Sequence, residues 1–128
     1  MKITLLSEDS IRLEGTNGPL TIEADSAELS YSPFHMLASG LAACVFSVLH
    51  SWATHANLAP TDLALEVRWS FADQPYRVGR VDLKIIWPGL PESRRAAALR
   101  AAGLCPIHST LTHATEVTAE VASGSGSG

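Results

Sequence analysis

The sequence predicts an α+β domain in which helices pack on an antiparallel sheet. Three segments alternate between apolar and polar residues, which is the period of a half-buried strand. Two further segments carry the end signals of helices, and they separate the strands along the chain. The predicted order is therefore a β-rich start, a long helix, a β-hairpin, a second helix, a short turn and a last strand.

The N-terminal region predicts two or three short strands. Its alternating apolar residues form three pairs, which are Ile3 and Leu5, Ile11 and Leu13, and Leu20 and Ile22. The polar stretches SEDS and TNGP break the pattern between them.

A long helix is predicted from about Pro33 to Ala56. Ser32 is a suitable N-cap, and Pro33 fits the first helical position because its missing N–H is not needed there. One helical face collects five residues within about 60° of one another, namely Leu37, Leu41, Cys44, Val48 and His55. The opposite side is also fairly apolar. Such a helix must be buried on most sides, by a sheet wrapped around it or by a second subunit.

The second half of the chain predicts a hairpin, a helix and a final strand. LALEVRWSF (63–71) and GRVDLKIIW (79–87) alternate on either side of a turn-rich break, so they are expected to pair antiparallel. PESRRAAALRAAG predicts a helix that starts at Pro91 and ends at Gly103, a natural C′ residue. TEVTAEV (115–121) alternates again and predicts the last strand.

Length and composition predict one globular domain over residues 1–122. The chain has 128 residues, 46% hydrophobic and 17% charged. Its net charge of −4, without a run of Lys or Arg, argues against nucleic-acid binding. No stretch is expected to span a membrane, and MKITLLSEDS turns acidic too early for a signal peptide, so a cytoplasmic protein is expected. Residues 123–128, SGSGSG, are interpreted as a flexible linker or a cloning remnant.

The most compact motif is GLCPIHSTL, in which Cys105 precedes a proline and lies three residues before His108. If Pro106 opens a helical turn, Cys105 is its N-cap, and the exposed N–H groups would favour a thiolate. The alternative is a Cys-Pro turn that only closes the second helix. Cys44 is either a buried small apolar residue or a nucleophile. A thiol on an apolar helix face is inert unless the fold supplies a cation or hydrogen-bond donors.

A metal site receives little support from the histidines. Zinc needs three or four converging ligands, and Cys105 and His108 form one close-spaced pair with His113 nearby. His35 and His50 point about 180° and 120° away from Cys44 on the long helix, so they cannot share a metal with it. No metal and no cofactor are expected. The serine-hydrolase elbow and the phosphate-binding loop are absent as motifs, apart from a chance match within SGSGSG.

Two motifs together resemble the OsmC/Ohr-like family. SPFHMLASGLAAC is similar to the family's N/S-P-x-E-L-L-x-A-A-x-A-A-C, and CPIHSTL is similar to its C-P-V-H-x-T-L. The resemblance covers roughly residues 30–121. It implies antiparallel sheets packed around a central helix that carries Cys44, in an intertwined homodimer. It also implies reduction of organic hydroperoxides in oxidative-stress defence, with Cys44 peroxidatic, Cys105 resolving and an external dithiol as reductant.

The chain departs from the family pattern at the thiolate-stabilising pair. Peroxidase members carry a glutamate early in the central helix and an arginine from the N-terminal region, whereas Phe34 and His35 occupy the matching helix positions here. Arg12 is the only N-terminal arginine, and it aligns with no family motif. Arg12, His35, His50 and His108 are therefore the supporting candidates, and a non-catalytic domain that binds an apolar small molecule is the alternative function.

Overall fold

The computed structural model describes residues 1–123 and contains an α+β fold. The strands are β1 Lys2–Ser7, β2 Ser10–Glu14, β3 Thr21–Ala24, β4 Ala64–Ala72 and β5 Arg77–Ile86. The helices are α1 Pro33–His55, α2 Arg95–Ala102 and α3 Pro106–Thr112. Of the expected flexible tail, Ser123 is exposed and outside any element, and residues 124–128 lie outside the described residues.

The described strands form one five-stranded sheet in the order β3-β1-β2-β4-β5. The predicted hairpin is confirmed, because β4 and β5 pair antiparallel with Val67 opposite Leu83. The expectation of a purely antiparallel arrangement in more than one sheet is wrong, since β3 pairs parallel to β1. The segment between β2 and β3 crosses to the outer edge of β1, and this places β3 in the parallel direction.

The core lies between α1 and one face of the sheet. Strand alternation points one set of side chains at the helix, and these are almost fully buried: Ile3, Leu5, Ile11, Leu13, Leu65, Val67 and Trp69. From α1, Leu41, Val45 and Leu49 pack against them. The predicted face of α1 is wrong, because Leu37 and His55 are exposed, and the side that contacts β2 and β4 is the one that carries Val45 and Leu49. A helix that is apolar nearly all round has no single stripe by which its period could identify the buried side.

The expectation that no segment could span a membrane is wrong for α1 by length and composition. The helix has 23 residues, and an 18-residue window within it has a mean hydropathy of 1.5. In this fold the apolar residues of α1 contribute to the core, because 39% of that window is buried inside the domain. A core helix of a globular protein passes the same test.

The segment after β5 folds into more helix than the sequence predicts. A 3₁₀ turn, Glu92–Arg94, precedes α2, and Gly103 ends α2 with a right-handed φ of −68° instead of the left-handed C′ conformation. Cys105 then caps α3, which runs for seven residues from Pro106. Both α2 and α3 pack against α1.

The predicted last strand, residues 115–121, is wrong for the described chain. This segment is extended and exposed, with Val117 and Val121 85% and 97% accessible. Alternation alone does not make a strand, because its backbone groups need a neighbouring strand edge, and residues 115–121 pair with none of the five strands.

Candidate functional site

The two cysteines lie next to each other between α1 and the start of α3. Cys44 is half-buried on α1, and Cys105 is fully buried. The thiol of Cys44 lies near enough to that of Cys105 to raise its pKa, and both cysteines are free. The fold brings them together because the turn after α2 returns the chain to α1. Sixty-one residues separate the two positions in the sequence, and neither motif alone indicates their proximity.

Cys105 is the N-cap of α3, as predicted. Its Sγ accepts a hydrogen bond from the backbone N–H of His108 at 3.4 Å. The expectation that this cap favours the thiolate is wrong. Burial raises the pKa of the Cys105 thiol, the hydrogen bond with Cys44 raises it further, and the backbone N–H groups of His108 and Ile107 offset only part of this. At neutral pH the structure therefore keeps Cys105 as a thiol.

A cavity of about 450 Å³ opens between α1, β5 and the two short helices. Its walls are mostly aliphatic, and they include Leu41, which lies one helical turn before Cys44. His108 and Arg80 are the titratable residues in its wall. Arg80 Nε donates to Asp82 at 3.0 Å, so the side chain of Arg80 is already held by another residue. His108 is therefore the more available of the two to contact a ligand.

His35 is held in the first turn of α1. It occupies the N3 position of a capping box: its backbone N–H donates to Ser32 Oγ, and its Nδ1 accepts from the Ser32 backbone N–H at 3.2 Å. Its Nε2 lies 2.9 Å from the carbonyl of Ser7. A carbonyl only accepts, so Nε2 is the donor in this hydrogen bond. Both ring nitrogens therefore form hydrogen bonds at the N-terminal end of α1, and neither interacts with Cys44.

Arg12 and His50 also lie apart from the cysteines. Arg12 alternates with the buried Ile11 and Leu13, so it is on the sheet face opposite α1, where it pairs with Glu66 at 3.6 Å. His50 is exposed near the C-terminal end of α1, and its ring lies 6.1 Å from that of Phe46. Of the four supporting candidates, only His108 lies near the cysteine pair.

Sequence reasoning missed the residues that shape the cavity wall. Val78, Val81, Leu83 and Ile85 of β5 line it together with Leu111 of α3. The alternation of β5 predicts that its apolar side faces the helices, but only the position of α3 makes this side a cavity. Within residues 1–123, no three His, Cys, Asp or Glu side chains are grouped closely enough to hold a metal ion.

Comparisons with known proteins agree with this architecture. Residues 24–120 match the family model described as OsmC-like protein. A hydroperoxide resistance protein described as OsmC-like, from Jannaschia sp. CCS1, is 25% identical over 79% of this chain and 72% of its own, with a TM-score of 0.60. A candidate osmotic-stress-induced and detoxification-response protein from Psychrobacter arcticus 273-4 is 18% identical over 84% of each chain, with a TM-score of 0.59. A comparison with curated proteins finds no match.

Proposed function

The chain belongs to the OsmC-like family, and on this premise we propose that it reduces organic hydroperoxides with Cys44 and Cys105 as a redox pair. The observation that carries the proposal is the proximity of the two thiols. Neither cysteine lines the aliphatic cavity, but its wall includes Leu41, one helical turn from Cys44, and His108, whose backbone N–H donates to Cys105. The hydroperoxide resistance protein from Jannaschia, which shares a quarter of the aligned residues, supports it.

The half-buried Cys44 is the residue assigned to attack the peroxide, because the fully buried Cys105 is less accessible and its pKa is raised. The Cys44 thiolate attacks the distal oxygen of ROOH, the O–O bond breaks, and Cys44 becomes a sulfenic acid while RO⁻ takes up a proton and leaves as ROH. The thiol of Cys105 then attacks the sulfenic sulfur, which gives a disulfide and water. An external dithiol reduces the disulfide and restores both thiols.

The 450 Å³ cavity is the proposed binding site for the organic part of the peroxide. Its aliphatic walls would bind an apolar substituent by removing it from water. His108 is assigned a supporting role, as the group in the cavity wall that can hand a proton to the departing alkoxide.

The active form is proposed to be a homodimer. Apolar side chains are exposed on two sides of the domain, with Met36 on α1 at 51% and Leu104 after α2 at 76%. The alternating segment 115–121 pairs with no strand within residues 1–123, whereas β5 is an edge strand of the described sheet with one free side. A second copy would supply an edge for that segment and cover these side chains.

Thiol titration before and after one equivalent of cumene hydroperoxide tests the function. Both free thiols should disappear, and mass spectrometry of the non-reduced digest should find the Cys44 and Cys105 peptides linked. Dithiothreitol should then restore two thiols and support repeated turnover. Survival of both thiols under these conditions would refute the proposal.

A second candidate function, non-catalytic binding of an apolar small molecule, is favoured by one specific observation. Neither Arg12 nor His35 lies at the cysteines to stabilise a thiolate. This function predicts an apolar ligand bound in the same cavity with unchanged affinity when both cysteines are replaced by serine. Dithiol-dependent peroxide turnover would exclude it as the main role.

A further inference from the structure

A second cavity, of about 860 Å³, lies at the N-terminal end of α1, and neither cysteine lines it. Three parts of the chain surround it: the turn between β1 and β2, the segment just before α1, and the end of β4. The hydrogen bond from His35 to Ser7 holds the first of these against α1. The cavity is therefore formed by segments that are distant in the sequence and that the tertiary structure brings together.

One wall of this cavity is aromatic. Phe34 and Phe71 meet edge to face with ring centroids 4.8 Å apart, and Tyr76, which does not line the cavity, stacks parallel to Phe71 at 4.9 Å. Phe34 and Phe71 are each 38% exposed, whereas Trp69, the other aromatic residue of β4, is 2% exposed. Aromatic rings that are exposed at the mouth of a cavity can contact a ligand with their faces or their edges.

The lining of this cavity also carries three acidic residues. Glu8, Asp9 and Glu28 line the cavity, and none of them forms an ion pair within residues 1–123. No Lys or Arg lines it. Three carboxylates in one cavity with exposed aromatic rings attract cations and repel anions.

One buried hydrogen-bond donor among the lining residues, the indole N–H of Trp69, lacks an acceptor. Trp69 is 2% exposed and lines the cavity, and its indole N–H has no partner among the described residues. The indole N–H of Trp87, by contrast, donates to the carbonyl of Ala59 at 3.2 Å. A buried N–H without an acceptor costs stability, which an oxygen atom of a bound ligand would recover.

We propose that this cavity binds an organic ammonium ion that carries an oxygen acceptor close to its charge. The cationic group lies against Phe34 and Phe71 and is neutralised by the carboxylates, and the oxygen accepts from the indole N–H of Trp69. The proposal concerns a site separate from the cysteine pair, and it holds whether or not the protein reduces peroxides.

Three small probes separate the charge from the oxygen. Choline has both, 3,3-dimethylbutan-1-ol is its neutral isostere, and tetramethylammonium keeps the charge without the hydroxyl. In a titration followed by ¹H–¹⁵N NMR, choline should shift the indole N–H resonance of Trp69 and leave that of Trp87 in place. The alcohol should bind about tenfold more weakly. Tetramethylammonium should bind more weakly than choline and should not shift the Trp69 indole.

Matched variants locate the site. Phe71→Leu and the double variant Glu8→Gln/Glu28→Gln should each weaken choline binding about fivefold. Phe46→Leu and Glu120→Gln, which change the same residue types elsewhere, should leave it unchanged, as should Cys44→Ser. The proposal is overturned if the alcohol binds as tightly as choline, if tetramethylammonium matches choline, or if the Phe71 and double glutamate variants bind like the wild type.

Discussion

The Nε2 of His35 donates a hydrogen bond to the carbonyl of Ser7 across 28 residues of sequence, at 2.9 Å. The same ring accepts from the backbone of Ser32, and its edge meets the ring of Trp69 with centroids 5.2 Å apart. One side chain thus connects the β1–β2 turn, the N-terminus of α1 and the end of β4. The fold uses this position to hold three elements together.

Replacing His35 with alanine should destabilise the protein by about 2 kcal/mol, because it removes a capping interaction and the hydrogen bond to the partly buried carbonyl of Ser7. Urea unfolding followed by circular dichroism measures this. His50→Ala is the matched control, since His50 is exposed and should cost less than about 0.5 kcal/mol. Equal losses in both variants would contradict the connecting role of His35.

The two cysteine variants should fail at different steps. Cys105→Ser should still react once with cumene hydroperoxide and leave a sulfenic acid on Cys44 that dimedone traps. Cys44→Ser should neither react nor turn over. Dimedone labelling followed by mass spectrometry distinguishes them. A Cys44→Ser protein that formed dimedone-labelled Cys105 would reverse the assigned roles.

Stability should fall as the pH becomes alkaline. The pKa of Cys105 is raised in the folded protein, chiefly by burial, so folding favours the protonated thiol. The stabilisation is complete below the unfolded-state value of about 8.5 and is lost as the pH rises through the folded pKa. The free energy of unfolding, measured in urea from pH 7 to 10, should fall more steeply for the wild type than for Cys105→Ser. Cys44→Ser retains the burial of Cys105 and should keep most of the slope, whereas identical slopes in all three proteins would argue against this linkage.

Charges on the apolar side of residues 115–121 should prevent dimerisation. Val117→Lys/Val121→Lys places two charges where the proposed second copy would bury valines. Thr118→Lys/Ala122→Lys adds the same charge on the other side of the segment and is the control. Light scattering after size exclusion should give a dimer for the wild type and the control, and a monomer for the valine variant. A wild-type monomer at all concentrations would refute the dimer.

The strands and the long helix were predictable because each depends on a local pattern. The period of two in β4 and β5 and the Ser32-Pro33 start of α1 each appear in the structure within two residues of the prediction. Residues 115–121 carry the same period of two, but a strand requires a partner that alternation cannot supply. The parallel placement of β3 likewise depends on how the chain crosses the sheet, which its four residues do not encode.

The resemblance predicted that the two cysteines act together, which stays a prediction, whereas the electrostatics of Cys105 were not predictable from the sequence. The proximity of Cys44 to Cys105 agrees with the family resemblance, while the N-cap argument for Cys105 omitted its burial. Desolvation outweighs two backbone N–H groups here, and only the packed structure reveals this. Arg12 failed as a supporting residue for a similar reason, because strand alternation turns it to the far face of the sheet.

The sulfur of Cys105 is also a structural part of α3, since it accepts the N–H of His108. A sulfur atom committed to a disulfide must adopt that bond's own dihedral, and it then has less freedom to serve the helix end. Oxidation chemistry at this atom is thereby coupled to the first turn of α3 and to the wall of the aliphatic cavity. Amide hydrogen exchange at His108 would report the oxidation state of the protein from a backbone position that takes no part in electron transfer.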